Sequence, residues 1–216
     1  MKLYGYFRSS ATYRARIALN LKGLPWEPVL VDLRPPANAQ HSPEFRALNP
    51  QGLIPVLTNG PYTLTQSLAI IEYLEETHPE PPLLPRPAAE RAQVRALALA
   101  IACDIHPLNN TRVLSYLRAP LGHDENMVNA WYAHWIAEGF TALEQEAKRL
   151  SGDGRHLFGT SVTLADVCLV PQMYNAQRFK CDVEPYPTLC AISAHLETLP
   201  AFARAAPDAQ PDAPPA

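Results

Sequence analysis

Phe7-Arg8-Ser9-Ser10-Ala11-Thr12-Tyr13-Arg14-Ala15-Arg16-Ile17-Ala18-Leu19 is the stretch on which the reading of this chain turns, because it joins a strand to a helix. Lys2 to Tyr6 reads as a short strand. Beyond the two serines, Tyr13, Ile17 and Leu21 recur at i, i+4 and i+8 and so share one helical face. Serine at such a junction is a natural N-cap. Hydroxyls and free backbone N–H groups at a helix N-terminus, beside Arg8 and followed by Arg14 and Arg16, also favour an anion, and a thiolate suits the place. Read alone, the stretch leaves plain capping and anion binding both open.

The rest of the composition narrows the classes. With 216 residues, 47% hydrophobic and 18% charged, the chain allows one or two domains with a sizeable core. A net charge of −3 gives no basic field for nucleic acid and no polybasic surface for anionic lipid, so a small or locally recognised partner is expected. No run approaches the roughly 18 apolar residues that span a bilayer, and Met1-Lys2-Leu3-Tyr4-Gly5 lacks the layout of a signal peptide. The expected location is the cytoplasm, with neither membrane nor nucleic acid as partner. Cys103, Cys168, Cys181 and Cys190 include no C-x-x-C pair, which argues against a disulfide framework or zinc ribbon and for core thiols. The histidines lack i, i+4 pairing, and Cys103-x-x-His106 alone supplies fewer ligands than zinc takes, so no metal is expected.

Taken in order, Val29-Leu30-Val31 reads as a second strand, and Ser42-Pro43-Glu44 opens a short helix with a cap followed by proline. Asn49-Pro50-Gln51-Gly52 is a turn into a third strand at Ile54-Pro55-Val56-Leu57. Asn59-Gly60 turns the chain into a fourth strand at Tyr62-Thr63-Leu64. Gln66-Ser67 then starts an amphipathic helix, with Ser67 as its expected cap. Proline crowds residues 78–87, a composition that makes a stiff connection, and the boundary between domains is placed there. Beyond it, Ala88 to about Tyr116 reads as one long helix kinked near His106-Pro107, and Glu125 to Leu150 as another. Thr163-Leu164-Ala165-Asp166 has capping-box spacing, a folding signal. The proline-rich end from Pro207 is expected to be extended or disordered.

A β-α-β-α-β-β-α domain joined to a helical one resembles the cytosolic glutathione transferases, and the zeta class most closely. The motifs that carry the likeness are Arg8-Ser9-Ser10-x-x-x-Arg14-x-Arg16-Ile17-Ala18-Leu19, Ile54-Pro55-Val56-Leu57, Gln66-Ser67-x-Ala69-Ile70-Ile71-Glu72-Tyr73-Leu74 and Thr163-x-Ala165-Asp166-x-Cys168. The resemblance implies an α/β, thioredoxin-like glutathione-binding domain over residues 1–80 and a linker over 81–87. It further implies an all-helical substrate-binding domain over 88–206 and a tail over 207–216. It also implies a cis bond before Pro55, a homodimer, and glutathione as cofactor. Ser9 would hydrogen-bond the glutathione sulfur, with Ser10 and Ala11 in the same turn. Ile54 and Pro55 would meet the cysteinyl part and Gln66 and Ser67 the γ-glutamyl end, while Gln40, His106, Asn110 and Arg112 would line the peptide. The class usually reads Ser-Ser-Cys where this chain has Ala11, which removes a cysteine-dependent side activity and leaves the main chemistry untouched.

The activity implied is cis-to-trans isomerisation of maleylacetoacetate or maleylpyruvate, in which a thiolate adds to the conjugated double bond, the bond rotates, and elimination returns the thiol. Arg8, which adjoins the serines in sequence, and Arg178, which the resemblance matches to an arginine of the zeta class, are the cations expected to recognise the carboxylates of such a diketo acid, a task that suits the planar guanidinium because it can bind both oxygens at once. Two other readings stand beside it: a general glutathione transferase acting on electrophilic or halogenated acids, and a non-catalytic binding protein on the same fold.

Overall fold

Alternating strand and helix signals up to Thr77 build a four-stranded sheet in the order β2-β1-β3-β4. In the computed structural model, which describes residues 1–214, β1 is Lys2–Gly5, β2 Glu27–Leu30, β3 Val56–Asn59 and β4 Tyr62–Thr65. β1 and β2 are parallel, and a parallel neighbour needs a crossover, which α1 (Ser10–Leu21) supplies. β3 runs antiparallel to β1 and β4, so Leu57 pairs with Leu3 on one side and Leu64 on the other. The short helix α2 (Pro43–Leu48) starts as its sequence predicts, the Ser42 hydroxyl accepting the Phe45 N–H at 3.2 Å. α3 (Ser67–Thr77) packs on α1, burying Ile17, Leu19, Ile70, Ile71 and Leu74. Each such side chain contributes about 1.5–3 kcal/mol. At the far end of this helix pair the Lys22 ammonium lies 2.6 Å from Glu75 and donates to the carbonyls of Pro79 and Pro81. Those bonds let the charge stay buried.

Residues 198–214 fold with this unit. α4 (Ala88–Leu99), α5 (Thr111–Arg118), α6 (Glu125–Leu150), α7 (Leu164–Arg178) and α8 (Pro187–Glu197) belong to a second unit of residues 83–197, whereas α9 (Pro200–Ala203) packs on α1. Two boundaries therefore differ from the sequence reading. The helical part stops at Glu197 instead of residue 206, and the described part of the 207–216 tail is neither extended nor free. Pro207–Ala209 forms a 3₁₀ turn, Pro207 and Gln210 are buried, and the Gln210 amide donates to the Arg204 and Ala206 carbonyls. Proline forbids a long helix there but does not forbid docking. The acceptors that the segment brings meet donors which the first unit buries: Arg16 Nε donates to the Ala205 carbonyl and the Phe7 N–H to Asp212, both at 2.9 Å. Residues 215–216 lie outside the described part. The expected linker over 81–87 also does more than connect, because Leu83 and Leu84 are buried and the Leu83 carbonyl accepts the Leu164 N–H at 2.8 Å.

Among the described residues the second unit holds helices and one isolated bridge, Ser151 to Gly159. The long helix expected over 88–116 is in fact broken. After Leu99 the backbone widens into a π-helical segment, Ala100–Ile105, turns at His106-Pro107, and restarts at Asn110, whose side chain accepts the Arg112 N–H. Proline at 107 lacks the N–H that would continue the helix. α6 approaches this widened segment closely at Gly139, where a Cβ would stand 2.2 Å from Ile105 Cδ1. α7 is buried nearly all round and packs against α4 and α8, as a helix apolar on every face must. At its start the Asp166 carboxylate accepts the N–H and hydroxyl of Thr163 and the N–H of Leu157. Burial still pushes that carboxyl up to about 6. All four cysteines are free thiols, but only Cys168 is fully buried, and Cys103 on the widened segment is exposed instead of in the core.

Candidate active site

Ser9 stands where the sequence puts it, one residue ahead of α1, with φ −67° and ψ 114°. Its hydroxyl oxygen accepts the Thr12 N–H at 3.2 Å and its own N–H donates to the Tyr6 carbonyl. Among the described residues nothing takes the hydroxyl proton, and the side chain is only partly buried. A cap of this kind uses a lone pair and leaves the O–H to point at an anion, so capping and anion binding are compatible in one residue. The close approach that seats α1 on the sheet depends on Gly5, where a Cβ would meet Thr12 Cγ2 at 2.3 Å. Ser10 is the first helical residue and is 4% exposed, and Ala11 follows it half-buried. Arg8 is exposed, its guanidinium 5.3 Å from the Phe7 ring centroid and 5.8 Å from that of Tyr6.

Arg14 and Arg16 do not contribute the open positive charge that their spacing suggests. Both are buried, because a helix with so many inward-facing positions turns them into the unit. Arg14 Nη1 donates to the Ser67 hydroxyl at 3.3 Å, and Arg16 donates to the carbonyls of Tyr6, Phe7 and Ala205. They tie together Ser67, the carbonyls of Tyr6 and Phe7, and the C-terminal segment. Ser67 does not cap α3 either. It is the first helical residue, and Gln66 occupies the cap position at φ 69° and ψ 116°, a conformation that L-residues seldom adopt and that collects at functional sites. The exposed Gln66 side chain donates to Gln51 Oε1 at 2.9 Å. Ile54 and Pro55 lie just ahead of β3, joined by a cis bond, outside a ladder that begins at Val56. Gln40 is half-buried, and its Oε1 is an acceptor buried without a partner. Gln51 and Asp212 carried no signal in the sequence, and Arg14, read there as open positive charge, is tied to Ser67 only by the fold: their positions in the folded unit connect the three to Gln66, Ser67 and the Phe7-Arg8-Ser9 turn.

The remaining candidates lie in the second unit. His106 follows the widened segment, its N–H donating to the Ile101 carbonyl; Asn110 caps α5, and Arg112 is exposed in the first turn of that helix. Arg178 is the last residue of α7, its guanidinium 4.3 Å from the Phe179 ring centroid. Phe179 in turn stacks on Tyr132 at 3.7 Å. Burial pushes the Tyr132 phenol well above its ordinary range, with the Arg178 charge pulling the other way. Among the described residues no three His, Cys, Asp or Glu side chains cluster so as to hold a metal ion.

A mixed sheet whose first helix begins on a serine with an uncommitted proton, followed by a separate all-helical unit, defines the glutathione transferase architecture with its thioredoxin-like first domain. Residues 3–82 match the family described as glutathione S-transferase, N-terminal domain. A probable maleylacetoacetate isomerase of Vibrio cholerae is 56% identical over 211 residues, which are 98% of this chain and 97% of the relative. Among solved structures, a maleylpyruvate isomerase described as a bacterial zeta-class glutathione S-transferase in its holo form superimposes with a TM-score of 0.96. It is 50% identical, covering 99% of this chain and 100% of that one. A maleylacetoacetate isomerase of Methylobacterium extorquens AM1, with bound malonate and glutathione, gives a TM-score of 0.94 at 42% identity and full coverage of both chains. The chain belongs to the zeta-class glutathione S-transferases, the family of the maleylacetoacetate and maleylpyruvate isomerases.

Proposed function

We propose that this protein is a glutathione-dependent cis-trans isomerase of a small dicarboxylate diketo acid, maleylacetoacetate or maleylpyruvate. The observation that carries the reading is the Ser9 hydroxyl, which keeps its proton at the N-terminus of α1 in a chain of this family. The residues of the first unit fit glutathione: the lone Gln40 Oε1 acceptor, the Gln66 amide, the Ser67 hydroxyl steadied by Arg14, and the backbone of Ile54 outside the ladder supply donors and acceptors for a peptide. Glutathione, when bound, supplies the sulfur that adds reversibly to the conjugated double bond. Ser9 would donate to that sulfur in its thiolate form, and the α1 N-terminus would add its dipole. Bringing a thiol from about 8.5 toward 7 takes roughly 2 kcal/mol, and a charge-assisted hydrogen bond of about 1.5–3 with a dipole of about 0.3–1 kcal/mol suffices.

Arg8 supplies positive charge next to Ser9 in a chain that is net negative, as recognition of a dianion requires. The parts that the resemblance gives to Ser10, Ala11, Pro55, His106, Asn110, Arg112 and Arg178 belong to the same proposal. So does a cytoplasmic homodimer. Four free thiols suit a reducing compartment, and Tyr62 on the edge strand β4 is 59% exposed, apolar area that a second copy would cover. The test is to follow each diketo acid with limiting glutathione. Many turnovers per glutathione, with the thiol titre unchanged at the end, support the isomerase; stoichiometric loss of thiol means a conjugating enzyme, and no turnover of either substrate means a binding protein.

A further inference from the structure

The C-terminus of α7 is closed tightly. Phe179 is its cap residue, Lys180 follows at φ 55°, and the N–H groups of Lys180 and Cys181 donate to the carbonyls of Gln177 and Ala176, both at 2.9 Å. Those two bonds are the Schellman closure of a helix, in which glycine is the usual left-handed residue. A lysine in that conformation is uncommon, and the turn it completes fixes where the side chains of Arg178 and Phe179 leave the backbone.

The Phe179 ring lies over that of Tyr132, a residue of α6 that is 1% exposed, with centroids 3.7 Å apart and planes 14° from parallel. Tyr132 therefore fills one face of the Phe179 ring. Arg178 Cζ is 4.3 Å from the same centroid, too close to lie beyond the ring edge, so the guanidinium occupies the opposite face. Aromatic pairs ordinarily sit offset or edge-on, because facing quadrupoles repel; a cation over the outer face offsets that repulsion. The three layers run from core to surface: Tyr132 is buried, Phe179 half-buried and Arg178 exposed. The inner layer is anchored, since the Asn109 amide donates to the Tyr132 carbonyl at 3.1 Å. Burial holds the Tyr132 phenol well above its ordinary range, so that ring adds no negative charge beneath the arginine.

A guanidinium seated on a ring gives up much of the rotamer freedom of a long exposed side chain, while its N–H fork remains able to grip a carboxylate. We infer that Phe179 is a positioning residue: its ring, backed by Tyr132, holds the Arg178 guanidinium in place for a carboxylate of the diketo acid, on the reading that Arg178 binds such a group.

The test is a double-mutant cycle on the full chain, with wild type, Phe179→Leu, Arg178→Gln and Phe179→Leu/Arg178→Gln assayed on maleylpyruvate and maleylacetoacetate at saturating glutathione. Phe179→Leu lowers kcat/KM for the diketo acid about three- to tenfold, chiefly through KM, and leaves the glutathione KM within about twofold. Phe179→Tyr keeps the ring and loses less than about twofold. In the Arg178→Gln background Phe179→Leu changes kcat/KM by less than about twofold, since the ring then has no cation to hold. Phe179→Met, which fills more of the space without a ring, takes the place of Phe179→Leu if that variant loses its fold. A second readout needs no turnover: the Arg178 Nε–H proton resonance, identified by its loss in Arg178→Gln, lies upfield in the wild type under the Phe179 ring current and moves downfield when the ring is removed. Arg178→Gln with wild-type kcat/KM overturns the reading of Arg178 and the inference with it. If Arg178→Gln lowers kcat/KM but Phe179→Leu acts equally in both backgrounds, or if the Nε–H resonance stays in place without the ring, Arg178 still reads the carboxylate and Phe179 is packing alone.

Discussion

Replacing Ser9 by alanine removes two things, and their sizes can be worked out separately. The first is the cap, a hydroxyl oxygen 3.2 Å from the Thr12 N–H. Its loss costs about 1 kcal/mol. In a chain of 216 residues that lowers Tm by about 2–4 °C. The second is the donor to the sulfur anion, whose removal lowers kcat by about one to three decades. Water can reach a partly buried position and replace some of the bond, which sets the lower end of that range. Ser9→Gly separates the two effects. Glycine at an N-cap costs only a few tenths of a kcal/mol, so this variant stays near the wild-type Tm while losing as much turnover as alanine. Ser9→Thr retains both. The assay is kcat for maleylpyruvate and maleylacetoacetate at saturating glutathione, beside the ultraviolet thiolate absorbance of the bound tripeptide. If Ser9→Ala loses 2–4 °C as estimated but both small variants keep kcat within about twofold and the thiolate band is unchanged, Ser9 is a cap and nothing more.

Gln66→Ala and Ser67→Ala each raise the glutathione KM more than they lower kcat, because they act far from the reacting bond; a pure kcat effect would contradict their placement. Ser67→Ala also lowers Tm more than Gln66→Ala does, since it takes an acceptor from buried Arg14. Lys22→Met costs about 3–5 kcal/mol in urea unfolding by stranding buried Glu75, and Lys22→Met/Glu75→Leu recovers most of it; a single variant as stable as wild type refutes the pairing. Asp212→Ala leaves the Phe7 N–H without its acceptor, costing about 1 kcal/mol and lowering kcat severalfold through the Ser9 turn, whereas an unchanged kcat would show the tail to be irrelevant there. Arg178→Lys and Arg178→Ala lower kcat/KM for the diketo acid in that order of severity and spare a neutral electrophile; an equal fall for both means that the arginine supports the Phe179 and Tyr132 stack.

The elements that could be read from sequence are those whose signals are local. The Ser42 cap with Pro43 behind it, the Asn59-Gly60 turn, the 26 residues of α6 and the capping box at Thr163 each depend on residues a few positions apart, and each stands where the pattern puts it. What failed were inferences about where a charge or a tail goes. Arg14 and Arg16 lie beside two serines and look like an anion trap, yet helical geometry turns them inward, and only a buried carbonyl or hydroxyl tens of residues away says what they do. The partner of Phe7 is 205 residues distant, a separation that no window of the sequence spans. The break at Ala100–Ile105 was half legible: Pro107 signals an interruption, but the widening ahead of it leaves no signature in the residues themselves. Gln66 could be singled out as a candidate from its motif, whereas its positive φ was visible only in the fold.

The return of the C-terminal segment to the first unit sets a timetable for biosynthesis. Arg16 leaves the ribosome 189 residues before Ala205, the carbonyl that its Nε will meet, and Phe7 precedes Asp212 by 205. At about 5–20 residues per second this is a wait of roughly 10–40 s, during which the sheet and its helices can collapse while Arg16, already able to meet the Tyr6 and Phe7 carbonyls, still awaits the Ala205 carbonyl. The helical unit is made and can condense within that interval. The turn that carries Ser9 is therefore the first piece of the proposed site to be translated and among the last to be secured, and a nascent chain stalled short of Ala205 would present that turn unfinished to chaperones and proteases.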